Sequence, residues 1–494
     1  MNTELSVTVK EFLNSPLQHF VNGQSHPSID GKMGVVTNPV TGETIVDIAY
    51  GSSEDVDAAA QAAFDATKVW GKMTPSERSA IMHRFADLLE SEVQNIAEIE
   101  SLDVGKPLEK VAKGDILSGI ECARYFADLA LNAEYDTQLA IPNMDARIHR
   151  SAYGVCGFIF PWNFPILLFM WNVMPAIAAG NTAVVKPSEV TPLSSLYVAH
   201  LAKKAGIPDG VINIVIGDGV NVGSKIVEHP LVQRMSFTGS TQIGIMVAEK
   251  CASRPIPCKS ELGGKGAAVV FEDCDLDKTV SGLVDAITKN TGQTCCTATR
   301  WFVHADIYDA FKAKAVSILE NIKIGSGLDL ETEMGPLVSK IQEERILSYY
   351  NKGVADGANL VFAGGKVESP DLKDGYFVSP CLMEGDTDNV CYREEIFGPT
   401  AYLVKFSDED KVIEEVNNLQ YGLANSVWSA DSERCDRVAE QMVSGNSWIN
   451  AHNVFAYGLP YAGVNLSGVG GGVNSPETFY DYLRDLTIAR PLNS

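Results

Sequence analysis

Short apolar runs alternate along the chain with segments of helical period, the pattern of an α/β protein. From Ser53 to about Trp70 a serine cap, then Glu54 and Asp55 at the positive end, then a run of alanines predict a helix. A second amphipathic helix is expected over 76–99, before Gly105-Lys106-Pro107 breaks the pattern. Four strand-and-loop units follow. Residues 155–160 run into Pro161-Trp162-Asn163. Residues 182–186 come next, after which Thr191 is expected to cap a helix with Pro192 in its first turn, ending near Gly206-Ile207-Pro208. Residues 211–216 lead to Gly217-Asp218-Gly219, and residues 234–237 to Thr238-Gly239-Ser240. Together they predict a parallel, nucleotide-binding sheet.

A second α/β region is expected after Gly264, with a strand over 267–271, a helix start at two adjacent cysteines and a helix over 308–322. Residues 129–148 and the tail from about 478 fit neither region and read as extended edge strands. The longest apolar stretch, 166–179, is interrupted by Asn172 and Pro175, so it predicts a buried helix rather than a membrane span.

At 494 residues and 45% hydrophobic content, the chain is too long for one core and implies two or three domains. A net charge of −24 argues against nucleic acid and anionic membrane as partners, and against anionic substrates unless the site is locally basic. Met1-Asn2-Thr3-Glu4-Leu5 gives no signal-peptide pattern. The ten cysteines are scattered without a CxxC, which predicts reduced thiols in a cytoplasmic protein. The eight histidines form no HxxxH or Cys/His cluster, so no metal site is expected.

The candidate chemistry starts at Thr294-Cys295-Cys296-Thr297, two thiols in a small polar run where a substrate has room. From the residues alone, either cysteine qualifies as the nucleophile. Glu261, followed by Leu262-Gly263-Gly264, is a carboxylate on a hinge-like loop, a helix cap or a general base. Asn163 is a turn residue or an amide donor to an oxyanion. Lys186 and Glu189 follow a buried strand, placed to hold a ribose or to pair at the surface. Gly217, Gly219 and Gly223 form GxGxxxG, a weak phosphate-loop signal, and Glu394-Glu395-Ile396-Phe397 alone is an ordinary loop.

These motifs, in this order, resemble the aldehyde dehydrogenase superfamily, from Asn38-Pro39-Val40-Thr41-Gly42-Glu43 to the C-terminal region. The resemblance implies a Rossmann-type cofactor domain (1–128 and 149–262), an α/β catalytic domain (263–462) and a β oligomerisation arm (129–148 and 478–494). It assigns the nucleophile to Cys295, the base to Glu261 and the oxyanion amide to Asn163, with the Cys295 N–H as second donor. It places Ile159, Pro161, Trp162, Lys186 and Glu189 along the cofactor. Gly219, Gly223, Phe237, Thr238, Gly239, Ser240 and Leu262 continue that surface, and Glu395 with Phe397 holds the nicotinamide end. Phe164, Leu168, Trp171, Lys289, Thr294, Cys296 and Phe455 are expected to line the substrate tunnel.

The implied activity is oxidation of an aldehyde to its acid with NAD, through a thiohemiacetal and a thioester, in a homodimer or homotetramer. Glu189 accepting from a free 2′-hydroxyl favours NAD over NADP. Alternatives are a CoA-acylating member and a non-catalytic binding protein on the same fold; Glu261 argues against the first. Three departures from the family lie near the substrate. Lys289 stands where an aromatic residue is common, and a cation there would favour an aldehyde with a distal anionic group. Pro460-Tyr461-Ala462-Gly463 replaces Pro-Phe-Gly-Gly, and Gly468-Val469-Gly470-Gly471-Gly472 is unusually rich in glycine.

Overall fold

In the computed structural model, which describes residues 4–492, the apolar runs assemble into two large sheets. Met1 to Thr3 of the N-terminal reading and the last two residues of the tail lie outside the described residues. The first sheet has eight strands. Its centre is parallel, in the order Ile212–Ile214, Thr182–Lys186, Val155–Ile159, Val232–Thr238, Cys258–Glu261. Strands buried on both faces read as continuous apolar runs, and Thr182–Lys186 is buried throughout. The helix Pro165–Ala178 is likewise buried at every residue and packs in the main core. Among the described residues no helix is long and apolar enough to cross a membrane.

The chain leaves the first sheet after Glu261 and enters a seven-stranded sheet at Gly266. Gly266–Val270 and Ala298–His304 pair in parallel at its centre. At Gly468–Val469 the chain returns to pair antiparallel with Cys258–Glu261. The carboxyl ends of the first sheet's strands therefore face the amino ends of Gly266–Val270 and Ala298–His304. Open parallel sheets take their ligands at such ends. A third, antiparallel sheet joins Leu483–Pro491, Met144–Ala152 and Asp136–Leu139.

Four local expectations need correction. The helix over 76–99 is two helices, Pro75–Ser91 and Val93–Asp103, broken at Glu92 (φ −113°, ψ 10°). The second buries Glu98, Glu100 and Asp103, an acidic face that amphipathic reasoning assigns to solvent. Thr191 does not cap: Pro192 is the N-cap of Leu193–Ala205, and the Thr191 hydroxyl donates to the Trp162 carbonyl at 3.1 Å, tying two loops together. Residues 129–132 finish the helix Lys113–Asn132 rather than forming a strand. Thr478 lies in the helix Pro476–Tyr480, which Ser475 and Thr478 close with a capping box, so the terminal strand starts only at Leu483.

Candidate active site

The cysteines do not start a helix. Helix Leu276–Thr288 ends in a left-handed run, with φ of 48° at Asn290, 57° at Thr291 and 68° at Gly292. A Cβ at Gly292 would lie 2.3 Å from the Gly398 carbonyl, so only glycine fits. This reversal places Cys295 and Cys296 in the turn before the strand Ala298–His304. Gln293 fixes the turn: its amide donates to the Asn290 carbonyl at 3.0 Å and accepts from the Val338 N–H at 3.0 Å.

Cys295 is half-buried, whereas Cys296 is 2% exposed and its thiol donates to Asn453 Oδ1 at 3.2 Å. Accessibility thus favours Cys295 as the attacking sulfur. Its Sγ lies 3.4 Å from the Tyr461 hydroxyl. A hydrogen bond shared with Cys296, and then burial, push the Cys295 thiol well above its ordinary value. His452 holds the Cys296 carbonyl at 2.8 Å.

Asn163 is buried on the loop after Val155–Ile159, tied to the cysteine turn in both directions. Its Nδ2 donates to the Gln293 carbonyl at 3.0 Å, and its own carbonyl accepts from Asn290 Nδ2 at 2.9 Å. Glu261 is not on a swinging loop: it is the last residue of a strand, 7% exposed, in register with Thr238. Burial raises its pKa to about 8, against the lowering effect of Lys259; Cys295 adds to the rise. Its Oε2 is buried, with no partner among the described residues.

A cavity of about 370 Å³ joins Cys295, Cys296 and Asn163; Glu261 itself does not line it, although its neighbours Leu262 and Gly263 do. One side of the cavity, expected from sequence to take the substrate, is walled by Phe164, Leu168, Trp171 and Phe455, together with Lys289, Thr294, Cys295 and Cys296. Lys289 is half-buried and caps helix Leu276–Thr288, and among the described residues its ammonium has no hydrogen-bond or ion-pair partner. The other side of the cavity is lined by Pro161, Trp162, Thr238, Gly239, Ser240, Leu262, Glu395 and Phe397. Glu395 accepts from the Gly264 N–H at 2.9 Å, and a side chain at Gly263 would strike its carboxylate. The Phe397 ring meets Trp162 edge-on, centroids 5.4 Å apart. Phe237 is buried with its ring under Gly239 and does not line the cavity.

Lys186, Glu189, Ile159, Gly219 and Gly223 form a separate cluster beyond the cavity. Lys186 Nζ bonds Glu189 at 2.9 Å, and a Cβ at Gly223 would lie 3.6 Å from the Lys186 stem and 3.7 Å from Ile159. Gly219 opens the turn that Asp218 caps. Sequence reasoning gave no role to Leu167, Ser118, Gln342, Arg345, Asn453 and Tyr461, all of which line the cavity. Leu167 was within reach, beside Leu168 in one helix; Gln342 and Arg345 arrive from a distant helix, Lys340–Ala355, with no local signal.

The half-buried thiol and the buried carboxylate and amide gather near the carboxyl edge of a parallel sheet; residues 27–488 match the Aldehyde dehydrogenase family, and the chain belongs to it. It is 39% identical to 2-hydroxymuconic semialdehyde dehydrogenase of Pseudomonas sp. (strain CF600), covering 96% of this chain and 99% of that protein. It is 37% identical to betaine aldehyde dehydrogenase of Brucella anthropi, covering 92% and 93%. Among solved structures, the NAD+ complex of an aldehyde dehydrogenase from Bacillus cereus superposes with a TM-score of 0.97 at 36% identity, covering 100% of both chains. The chain is an aldehyde-oxidising enzyme, and the CoA-acylating alternative is not favoured.

Proposed function

We propose that the protein oxidises an aldehyde to its carboxylic acid with NAD, through a thioester on Cys295. The observation that carries this reading is the single cavity that Cys295, Asn163, Thr238, Ser240 and Glu395 share. The Cys295 thiol gives its proton to solvent, the resulting thiolate attacks the aldehyde carbon, and the oxygen takes the negative charge. The free N–H of the Asn163 amide and the Cys295 N–H stabilise that oxyanion; one such donor lowers the barrier by roughly 3 kcal/mol. Bound NAD supplies the acceptor for the hydride that leaves this carbon. Glu261 then takes a proton from water as its oxygen bonds to the thioester carbon, and the carbon–sulfur bond breaks to return the Cys295 thiolate.

The residues fit that cofactor. Thr238 Oγ1 is buried without a partner, and Ser240 precedes the helix Thr241–Ala252 without capping it by its side chain. Both hydroxyls stand at a helix amino end that favours a phosphate. Glu189, bonded to Lys186, is an acceptor for a ribose 2′-hydroxyl and repels a 2′-phosphate. Lys289, a cation without a partner among the described residues, supports an aldehyde with a distal anionic group. The three-stranded sheet of Asp136–Leu139, Met144–Ala152 and Leu483–Pro491 is read as the arm of a cytoplasmic homodimer or homotetramer, with the remaining chain split into cofactor and catalytic domains near Leu262. Absorbance of the reduced cofactor with an aldehyde panel tests the reading. A higher kcat/KM with NAD than with NADP is expected; an NADP preference contradicts the role of Glu189.

A further inference from the structure

The proposed mechanism leaves one buried charge unused beside its base. Lys259 lies two residues before Glu261 in the strand Cys258–Glu261, so both side chains leave the same face of the sheet. Lys259 is 0% exposed. Its ammonium donates to the Gly472 carbonyl at 3.1 Å and lies 5.4 Å from the centre of the Tyr482 ring. Among the described residues it has no ion-pair partner.

The other groups facing Lys259 are already committed. Arg234, on the neighbouring strand, pairs with Asp481 and stacks against Tyr153 and Tyr482. Cys122, on the helix Lys113–Asn132, is a thiol that burial pushes well above its ordinary value, so it stays neutral. Facing Glu261 are Lys259, Cys295 and the Gly463 backbone amide; among the described residues Lys259 is the cation acting on it. One glycine of the glycine-rich run, Gly470, meets the same lysine. A Cβ at Gly470 would lie 3.1 Å from Lys259 Cγ, and Gly470 and Gly472 take φ of 107° and 67°. The loop lies directly on the lysine stem and presents the Gly472 carbonyl to its tip.

We propose that Lys259 is a positioning residue for the base: its ammonium favours the ionised form of Glu261 and offsets part of the burial that opposes it. The inference rests on the reading of Glu261 as the base. The sign is fixed by the charge. Removing the cation makes the carboxylate harder to form, so Glu261 ionises only at higher pH and thioester hydrolysis at neutral pH falls.

The test is the pH profile of 4-nitrophenyl acetate hydrolysis, which forms an acyl-Cys295 and hydrolyses it without a cofactor. Full-length wild type, Lys259→Met, Lys259→Gln, Lys259→Arg and Glu261→Gln are compared. The midpoint of the rising limb moves up by about one pH unit in Lys259→Met, with about a tenfold loss at pH 7 and the plateau at high pH kept. Lys259→Gln, which keeps a donor for the Gly472 carbonyl but no charge, moves the midpoint as Met does, and Lys259→Arg restores it. The initial burst of nitrophenol, which reports acylation, persists in both neutral variants and shows that they fold. An unchanged midpoint in both neutral variants overturns the inference, provided Glu261→Gln abolishes the limb. A limb that survives Glu261→Gln removes the base itself, which is a different failure.

Discussion

Lys106 and Lys259 are both wholly buried, and the protein treats them in opposite ways. Lys106 sits between Glu100 at 2.6 Å and Asp115 at 2.8 Å. Burial pulls its pKa down, but the two carboxylates outweigh burial and leave it raised. Lys259 has a carbonyl in place of carboxylates, and burial lowers it to about 8. Depth is the same; the partners decide the outcome. The Lys106 cluster is a fastener. Glu100 accepts from the Ile166 N–H at 2.8 Å and the Ser194 hydroxyl at 3.0 Å, tying the first turns of two core helices, and Lys106 lies 4.6 Å from the ring of Phe164 in the tunnel wall. Lys259 fastens little, and its charge acts on the base.

The largest expected effect separates the two. Lys106→Met strands two buried carboxylates and costs about 3–5 kcal/mol of stability, read from the urea midpoint. Lys259→Met loses much less stability and changes the pH profile instead. Equal losses in stability would dissolve the comparison. A second effect is the profile of the wild type. Burial raises the Glu261 pKa to about 8, and a base works only when ionised, so hydrolysis of the acyl-enzyme is weak at acid pH and rises as pH passes up through about 8. A flat rate across that window, measured by single-turnover hydrolysis, contradicts the assignment.

The smallest effect concerns a third lysine. Lys289 is half-buried, without a partner among the described residues, and lines the cavity. Lys289→Ala should lower kcat/KM for a semialdehyde with a distal carboxylate relative to an uncharged aldehyde of equal length, by about 1 kcal/mol or roughly fivefold. An unchanged ratio assigns the preference to the aromatic walls.

Much of this site was legible because its parts follow strands. Asn163, Glu189, Ser240 and Glu261 each stand at or just past the end of an apolar run, where a parallel sheet presents its ligands. What sequence alone obscured depends on tertiary context. The left-handed Asn290-Thr291-Gly292 reversal is imposed by contact with Gly398, over a hundred residues away, so a helix start at the cysteines was the local reading. Glu100 and Asp103 carry no local sign of burial; Lys106 and the backbone amides of two other helices come from elsewhere in the chain to meet them. Tyr461 stood out as a departure from a motif, but nothing local brings its hydroxyl to Cys295. Lys259 drew no attention, because alternation in a strand does not say that both faces are buried.

The central claim is that Cys295 carries the acyl group and Glu261 removes it. Mixing Glu261→Gln with NAD and a saturating aldehyde, then mapping the acyl adduct by mass spectrometry, tests both halves at once. The account predicts a burst of about one NADH per site, a steady state slower by a factor on the order of 10²–10⁴, and an adduct on Cys295. An adduct on Cys296, or wild-type turnover with no adduct, would contradict it.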